Sequence, residues 1–545
     1  MENDENCDPR PNLHRTLSKT RSNPDAPQAK QRRLKRAPDS VSSVPTSSGM
    51  RNDEGVRGIP STTTALPDLP YYVLFHMLST SEIGGRDLAC LESAGYAFRR
   101  AADQTPYRYR SIAEMAAYEQ CQRRPWLKQL PEKVQLALFH RCNRSWKRVL
   151  AYIGAVGSST NTDDRFSGGQ VSSGQYHNVA VTAKGAVYTF GGTEEGCLGR
   201  GSVNGGGNMP RPVPALRRIR VLQVSAGQSH TVLATSSGEL YTFGLNQFGC
   251  CGHGSLEKHL VHEPRLVTGM GGAKAARVSA GMAHTVVATD QGKLYTFGRG
   301  IFGRLGLGTE ADEAFPQLVQ DSDLDDEFVT QVSAGVSHTL IVTRAGNLFS
   351  CGYGLKGRLG HGGEVNELRP RLVAGLQEAG AHVMQASAGP EHSGAVTADG
   401  RVYTWGGGWC GCLGHVAEEN ELAPREVEGL GDVLAVQIKV GKRKTFVVSD
   451  VGKLWAFGWS ALGSLGYGET GFDKVPHPTV AAALVGSNVV QVAAGLYHTL
   501  VVTRAGDSAR VLSFGDNEKG QLGVASTQLP TSLAPWELEG LEMRG

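Results

Sequence analysis

Seven related segments in the C-terminal two-thirds of the chain constrain the fold more than any other feature. Each segment contains an anchoring glycine, and these glycines are Gly174, Gly227, Gly281, Gly335, Gly389, Gly441 and Gly495. Subtracting neighbouring numbers gives separations of 53, 54, 54, 54, 52 and 54 residues. A unit that recurs seven times with so little change in length predicts one repeated structural element.

Each copy predicts four short strands. A β-branched run such as Thr285–Thr289 is followed by a three-residue turn that ends in glycine and by an aromatic strand such as "LYTFG". A "GxLG" turn (Gly357–Gly360) and a strand such as Pro370–Val373 complete the unit. Seven four-stranded units predict an all-β, seven-bladed β-propeller over residues 170–545. Because Pro535–Leu541 resembles a spare fourth strand, we expect this segment to join strands from the beginning of the propeller and complete a blade.

The motif Gly-x-x-His-Thr, followed by Gly-x-Leu/Val-Tyr-x-Phe-Gly and Gly-x-Leu-Gly, resembles the regulator of chromosome condensation repeat. The resemblance implies a seven-bladed propeller and, from the founder of the family, guanine nucleotide exchange on a Ran-like small GTPase. In that mechanism a wedge protrudes from one blade. The uniform repeat lengths leave little room for a wedge, and the visible hairpin insertion is at Asp507–Ala509.

The repeated histidine is predicted to have a structural role and not a catalytic or metal-binding one. It occurs in six copies, as His177, His230, His284, His338, His392 and His498. A catalytic or metal site is rarely sevenfold, whereas an imidazole nitrogen can satisfy a polar group in a tight turn of every blade. Without a recognisable nucleophile elbow or phosphate-binding loop, the sequence predicts a non-catalytic binding protein with no cofactor or small-molecule substrate.

Two further positions of the repeat carry predictions. The sixth copy, "VGKRKTF", has Lys444 in place of the histidine, and we predict a distinctive charged face at Lys442, Arg443 and Lys444. The first variable position of the "GxLG" turn accepts several residue types and is therefore predicted to face solvent. Its occupants include Cys197, Cys250, Arg304, Arg358, Cys412, Ser464 and Gln521.

Residues 63–155 change to helical spacing. Six apolar residues at steps of three or four predict one continuous helix, with Pro131 in its first turn: Val134, Leu138, Cys142, Trp146, Val149 and Ile153. A second helix is predicted over Ser111–Arg123.

This helical unit also resembles an F-box. The residues that carry the resemblance are Leu69, Pro70, Leu74, Leu78, Asp87, Leu88, Leu91 and Phe98. The resemblance implies binding to an adaptor of a cullin-type ubiquitin ligase. Ser81 stands where a leucine is usual, and Gly84–Gly85 lies in a longer connection between the first two helices. A helical cap on the propeller is the alternative interpretation.

Residues 1–62 are polar and predicted to be a disordered basic tail. The densest run supplies a candidate nuclear import signal, with a solvated tail as the alternative: Lys30, Arg32, Arg33, Lys35 and Arg36. No signal peptide or membrane span is visible, so a location in the nucleus, the cytoplasm or both is expected.

The sequence leaves several functions open. A protein-interaction scaffold is favoured, and the F-box resemblance implies that it is a substrate receptor for a ubiquitin ligase. Nucleotide exchange and nucleosome binding through basic patches, including Arg217, Arg218 and Arg220, are alternatives. Ultraviolet-B sensing is disfavoured, because the family's chromophore tryptophan is replaced in every copy: Gln175, Gln228, Met282, Val336, Pro390, Lys442 and Leu496.

Overall fold

A computed structural model gives the architecture of the chain. It describes residues 77–80, 83–94, 111–160, 169–201, 207–468, 474–506, 508–524, 531–539, 541 and 543. The predicted basic tail, with Lys30–Arg36, lies outside these ranges, as do Leu69, Pro70, Leu74 and Phe98 of the F-box-like motif.

The seven repeats form seven four-stranded antiparallel sheets, one for each repeat. In the first three blades the strands are β1 Gln170–Ser173, β2 His177–Val181, β3 Val187–Gly191, β4 Arg211–Pro212, β5 Val221–Ala226, β6 His230–Thr235, β7 Leu240–Asn246, β8 His259–Leu266, β9 Ala275–Ala280, β10 His284–Thr289, β11 Leu294–Gly298 and β12 Glu313–Leu318. In the fourth and fifth blades they are β13 Val329–Ala334, β14 His338–Thr343, β15 Leu348–Gly352, β16 Glu367–Leu372, β17 Val383–Ala388, β18 His392–Thr397, β19 Val402–Gly406 and β20 Glu421–Glu426. In the last two they are β21 Ala435–Gly441, β22 Lys444–Ser449, β23 Leu454–Trp459, β24 Lys474–Val480, β25 Val489–Ala494, β26 His498–Ala505, β27 Ser508–Asp516 and β28 Thr531–Glu537.

The predicted hairpin and the predicted fold class are confirmed. In the third blade β10 pairs with β11 in the register His284 opposite Gly298. The connecting turn places Gly292 at φ 73°, a conformation that side chains with a Cβ rarely adopt. Strands such as β10 are buried along their whole length, because each sheet packs against the sheets of the neighbouring blades.

The predicted closure of the propeller by strand exchange is wrong. β28 pairs with β27 of its own repeat, so the C-terminal segment completes the seventh blade and contributes no strand to the first. The fourth strand of each blade pairs with the aromatic strand that precedes it, and even the two-residue β4 pairs with β3. Each repeat is therefore a whole blade.

Side chains join the last blade to the first. The Nε2 atom of His498 lies 2.8 Å from Oδ1 of Asn178. The amide of Val171 donates to Oε1 of Gln491 at 3.1 Å. Leu541 and Met543, beyond the last strand, are buried in the apolar cluster shared by the two blades. Packing and side-chain hydrogen bonds thus close the propeller.

The helical region differs from its prediction at one point. The described helices are α1 Gly85–Ala94, α2 Ile112–Gln122, α3 Pro125–Gln129, α4 Glu132–Arg141 and α5 Trp146–Thr160, with a short α6, Ala374–Glu378, between blades. The helix predicted near Ser111–Arg123 is confirmed as α2. The single helix predicted from Val134 to Ile153 is wrong, because Asn143 and Arg144 adopt φ values of 54° and 55° and end α4.

The buried carboxylate of Glu114, in α2, caps the N-terminus of α5. Glu114 is 4% exposed and accepts a hydrogen bond from the amide of Trp146, the first residue of α5. Ser145 donates its hydroxyl to the same carboxylate at 3.3 Å, and Lys147 lies 3.7 Å away. A negative charge at a helix N-terminus satisfies unpaired amides and complements the helix dipole.

The helices and the propeller share one core. Buried residues of α1 to α5 belong to the same apolar cluster as residues of the fifth to seventh blades, including Leu88 and Phe446. The Tyr152 hydroxyl donates to the Ala435 carbonyl at 3.2 Å, and Arg141 donates to the Val433 carbonyl at 2.8 Å. Residues 111–160 are therefore packed on the propeller as a cap.

None of the helices in the described ranges combines the length and apolar character that a membrane crossing requires.

Candidate protein-interaction face

The repeated histidines lie in the seams between neighbouring blades. Each one points Nε2 at a side-chain oxygen of the next blade, as in His284 to Oγ1 of Thr339 at 3.1 Å. The Thr339 hydroxyl in turn donates to the Arg304 carbonyl at 2.7 Å. Because the hydroxyl proton is used there, the threonine oxygen accepts from the histidine, and the imidazole carries its proton on Nε2. A seam therefore requires a hydrogen-bond donor.

The same relay occurs around the propeller. The other acceptors are Thr231 for His177, Thr285 for His230, Ser393 for His338, Thr445 for His392 and Asn178 for His498. The Nδ1 atoms of His284, His338 and His498 are buried without a hydrogen-bond partner. A second ring proton would have no acceptor, and burial lowers the pKa of these three side chains well below the usual range.

Lys444 occupies the histidine position of the sixth blade and is buried, with 1% of its surface exposed. Its Nζ donates to the His498 carbonyl at 3.0 Å and lies 3.5 Å from Oγ1 of Thr499. Burial lowers the pKa of Lys444 to about 7, although the charge of Asp516 opposes this shift. The predicted charged face must therefore be corrected, because this cation serves the seam and cannot reach a partner.

The first variable position of the "GxLG" turn is also buried, so the predicted exposure is wrong. Arg304 and Arg358 are 1% and 2% exposed. Each guanidinium donates across the seam to a carbonyl of the next repeat loop, Arg304 to Val336 and Arg358 to Pro390, both at 2.8 Å. The position accepts several residue types because its carbonyl, and not its side chain, is the shared element of the relay.

Above these seams lies a surface that we name the loop face. It consists of the short turns that lead into the "GxLG" motifs and of the loops that follow the repeat glycines. Five non-glycine residues at equivalent turn positions have positive φ values between 56° and 64°: Phe248, Phe302, Lys356, Cys410 and Leu462. The left-handed conformation costs a residue with a Cβ about 1–2 kcal/mol. These turns therefore carry side chains where glycine would be less strained.

Trp409 is the most exposed aromatic residue among the described turns of this face, at 56%. The Arg443 guanidinium carbon lies 5.1 Å from the centre of its ring, and the Lys356 ammonium lies 5.8 Å away. Lys356 and Arg443 come from different blades on either side of the tryptophan. Cations held over an aromatic face form attractive, partly desolvated pairs.

Glu391 sits beside this cluster. Its carboxylate lies 3.0 Å from the ammonium of Lys356. Burial alone would raise the pKa of Glu391, but the hydrogen bond and charge of Lys356, with Arg358 and Arg443, lower it below the usual range. The carboxylate therefore stays charged and fixes Lys356 next to Trp409.

Lys442 extends the face toward the seventh blade. Its ammonium donates to the Tyr497 hydroxyl at 2.8 Å and lies 4.9 Å from the centre of that ring. Trp459 packs edge-on against Tyr497, with centroids 5.9 Å apart. Lys442 and Arg443, the two other predicted interaction residues, are thus half-buried members of the loop face.

The third and fourth blades continue the pattern. Phe302 stacks on Tyr353 at 4.2 Å, and the Arg358 guanidinium lies 4.8 Å from the Tyr353 ring. Sequence reasoning missed these aromatic residues, which occupy variable positions of the repeat. Their signal was present as bulky residues directly before a turn glycine.

The F-box-like motif is only partly described. Leu78 and Leu88 are 4% and 0% exposed, whereas Asp87 is exposed and Leu91 is half-buried. Gln120 donates to the Leu78 carbonyl at 2.6 Å, which ties this segment to α2. Both described leucines therefore contribute to the core of the cap.

Comparison with known proteins agrees with this architecture. The RCC1-like domain model matches residues 155–484, and the regulator of chromosome condensation (RCC1) repeat matches residues 489–521. The ultraviolet-B receptor UVR8 of Arabidopsis thaliana is 32% identical over 360 residues, which cover 66% of this chain and 79% of that protein. The human E3 ubiquitin-protein ligase HERC2 is 32% identical over 335 residues, but these cover only 7% of that protein and 61% of this chain.

A solved structure gives the same fold. The crystal structure of Prp20p from Saccharomyces cerevisiae, reported with its binding properties to Gsp1p and histones, aligns with a TM-score of 0.57 and 22% identity. The alignment covers 67% of this chain and 86% of that one. The family model matches more than half of this chain, and the structure has seven complete four-stranded blades. This chain therefore belongs to the RCC1-like domain family of β-propellers.

Proposed function

We propose that this chain is a non-catalytic protein-interaction scaffold that binds its partner through the loop face. The observation that carries the proposal is Trp409, which is exposed on the fifth blade and lies between Lys356 and Arg443. Tryptophan, tyrosine and arginine dominate the binding energy of protein interfaces. The blade itself gains little from exposing this ring, so a partner surface is the best-supported occupant.

The test compares two double variants of the full chain. Trp409→Ala with Arg443→Ala removes the centre of the loop face, while Trp536→Ala with Lys453→Ala removes an exposed tryptophan and an exposed lysine outside that face. Affinity purification followed by cross-linking mass spectrometry should show partners lost only from the first variant, with cross-links at Lys356 and Lys442. Equal recovery by both variants and the wild type would reject the loop face as the binding surface.

The role of a ubiquitin-ligase receptor is a finer proposal. Its support is the F-box-like motif, and the burial of Leu78 and Leu88 in the cap weighs against it. The direct measurement is binding of the purified full chain to a purified cullin-ligase adaptor by size-exclusion chromatography. A stable complex would support the receptor role, and separate elution would leave the scaffold without this function.

Nucleotide exchange and chromatin binding are the second pair of candidates. The hairpin β26–β27 is longer than its counterparts and could serve as a wedge. Among the described residues, Arg217, Arg218 and Arg220 are exposed and form no ion pair, which suits phosphate contacts. Release of labelled GDP from Ran tests the first candidate. A nucleosome shift that weakens steeply with salt tests the second.

A further inference from the structure

The first strand of each blade contacts the first strands of both neighbouring blades and is therefore the innermost strand, which lines the central channel of a β-propeller. In most seams, side chains of the preceding blade cap the free edge of this strand. Glutamine and serine at two equivalent positions accept hydrogen bonds from the next innermost strand. In the first seam Gln170 accepts from the Val224 amide at 3.1 Å, and Ser172 accepts from the Ala226 amide at 2.9 Å. This arrangement satisfies backbone donors that a sheet edge would otherwise leave unpaired.

The serine position repeats this contact in five seams. In the other four seams a backbone amide donates to the serine Oγ at 2.9 to 3.0 Å: Ala280 to Ser225, Ala334 to Ser279, Ala388 to Ser333 and Val440 to Ser387. The sixth blade has Lys439 at this position, and the seventh has Ala493. An ammonium cannot accept a hydrogen bond. Among the described residues, no side chain of the sixth blade accepts from the Ala494 amide.

Lys439 brings a charge to the place where the acceptor is missing. Its side chain is half-buried and, among the described residues, has no hydrogen-bond or ion-pair partner. Burial lowers the pKa of Lys439. The ammonium of Lys439 favours negative charge at this point of the channel.

We propose that the channel binds a small oxyanion at Lys439, where one anion would neutralise the ammonium and accept the hydrogen bond of the Ala494 amide. Phosphate and carboxylate both have this chemistry. The oxyanion could therefore be free in solution or belong to an acidic side chain that enters the channel. The site lies in the channel and is independent of the loop face.

The test uses Lys439→Ser, which restores the residue of the other blades. Thermal unfolding of the full chain is measured while phosphate replaces chloride at constant ionic strength and pH. Wild-type Tm should rise by roughly 1–2 °C for each tenfold increase in phosphate above its Kd. The Lys439→Ser variant should lose this response. An unchanged response in the variant, or no response in the wild type, would overturn the proposal.

Two control variants separate the anion effect from stability. Ala493→Ser restores the other missing acceptor without changing charge, so its Tm should rise while its response to phosphate stays that of the wild type. Lys453→Ser removes an exposed lysine of the same blade and should also keep the response. A matching series with acetate distinguishes the sources. Stabilisation by acetate as well as phosphate indicates that an acidic side chain can occupy the site, and a response to phosphate alone indicates a free anion.

Discussion

The seams and the loop face are built from neighbouring positions of the same repeat, yet they vary in opposite ways. In the seams, six blades use the same histidine, because each blade must satisfy the same buried hydroxyl and carbonyl. On the loop face, equivalent turns carry Phe248, Phe302, Lys356, Cys410 and Leu462. Uniformity marks the positions that hold the propeller together. Variety marks the positions that the propeller does not need, and these are available for recognition.

Lys444 is the place where variation enters a seam. It keeps the donor that the relay requires, but unlike the neutral histidines it titrates near neutral pH, because burial lowers its pKa to about 7. The comparison therefore separates two properties of a seam residue, namely the ability to donate and the protonation state.

Of the changes considered, acidification should lower the free energy of unfolding most, because it protonates the seam histidines. Burial lowers the pKa of His177 to about 3 and that of His392 to about 4, both below the unfolded value of 6.5. A lowered folded pKa gives stability that is present above pH 6.5 and is lost as the pH falls toward 4. We expect the free energy of unfolding to fall by at least about 3 kcal/mol over this range, because several histidines contribute.

Urea unfolding monitored between pH 7 and pH 4 measures this loss. A His392→Gln variant keeps a donor but cannot be protonated, so its profile should be shallower than that of the wild type. Parallel profiles would show that carboxylates, and not the seam histidines, control the acid response.

Removing one seam histidine should be nearly as damaging. His338 is fully buried, and its loss would leave a cavity and deprive the Ser393 hydroxyl of its donor. We expect His338→Ala to lower the free energy of unfolding by about 3 kcal/mol. Chemical denaturation at pH 7 measures the change, with Val365→Ala as an exposed control expected to be nearly neutral. A small effect for both variants would contradict the architectural role.

Much of this comparison could be predicted from the sequence. The repeat length of about 54 residues predicted the seven blades. The recurrence of the histidine position in all seven repeats predicted that the residue there is structural and not catalytic. The break at Asn143 and Arg144 was not visible, because Cys142 and Trp146 keep helical spacing across it. Closure of the propeller was predicted wrongly, since the sequence alone does not show which neighbour the fourth strand pairs with.

The candidate site was predicted less well than the fold, for a physical reason. Charge in a sequence does not reveal whether a side chain points along a seam or out of it. Lys442 and Arg443 lie in the turn between β21 and β22 and reach the loop face, while Lys444 is the first residue of β22 and points into the seam. Trp409 gained significance only when the fold placed Lys356 and Arg443 from other blades beside it.

Lys444→His should sharpen the distinction between donor and charge. The pKa of Lys444 is about 7 in the folded protein and 10.5 in the unfolded chain. Lys444 therefore lowers the free energy of unfolding progressively as the pH falls from 10.5 toward 7. A histidine would donate to Thr499 without a charge at pH 7.5, and we expect a gain of about 1–2 kcal/mol. Lys444→Met, which cannot donate, provides the contrast and should show no such gain.

Denaturation of the two variants and the wild type at pH 7.5 and pH 9.5 decides between these effects. The wild type should become more stable at the higher pH relative to Lys444→His. If Lys444→Met is as stable as Lys444→His at both values, removal of the charge alone explains the gain, and the donor is unimportant in this seam.

The smallest effect should come from a turn of the loop face. Cys410 is in the left-handed region at φ 60°, where glycine is unstrained. Cys410→Gly relieves this strain but gives the unfolded chain more freedom, so we expect a change within about 1 kcal/mol, on the stabilising side. Phe302→Gly relieves the same strain and loses the 4.2 Å stack on Tyr353, so it should be the less stable variant. If both variants gained equally in urea unfolding, the Phe302 side chain would add nothing to the folded blade, and its retention at a strained position would point to a partner.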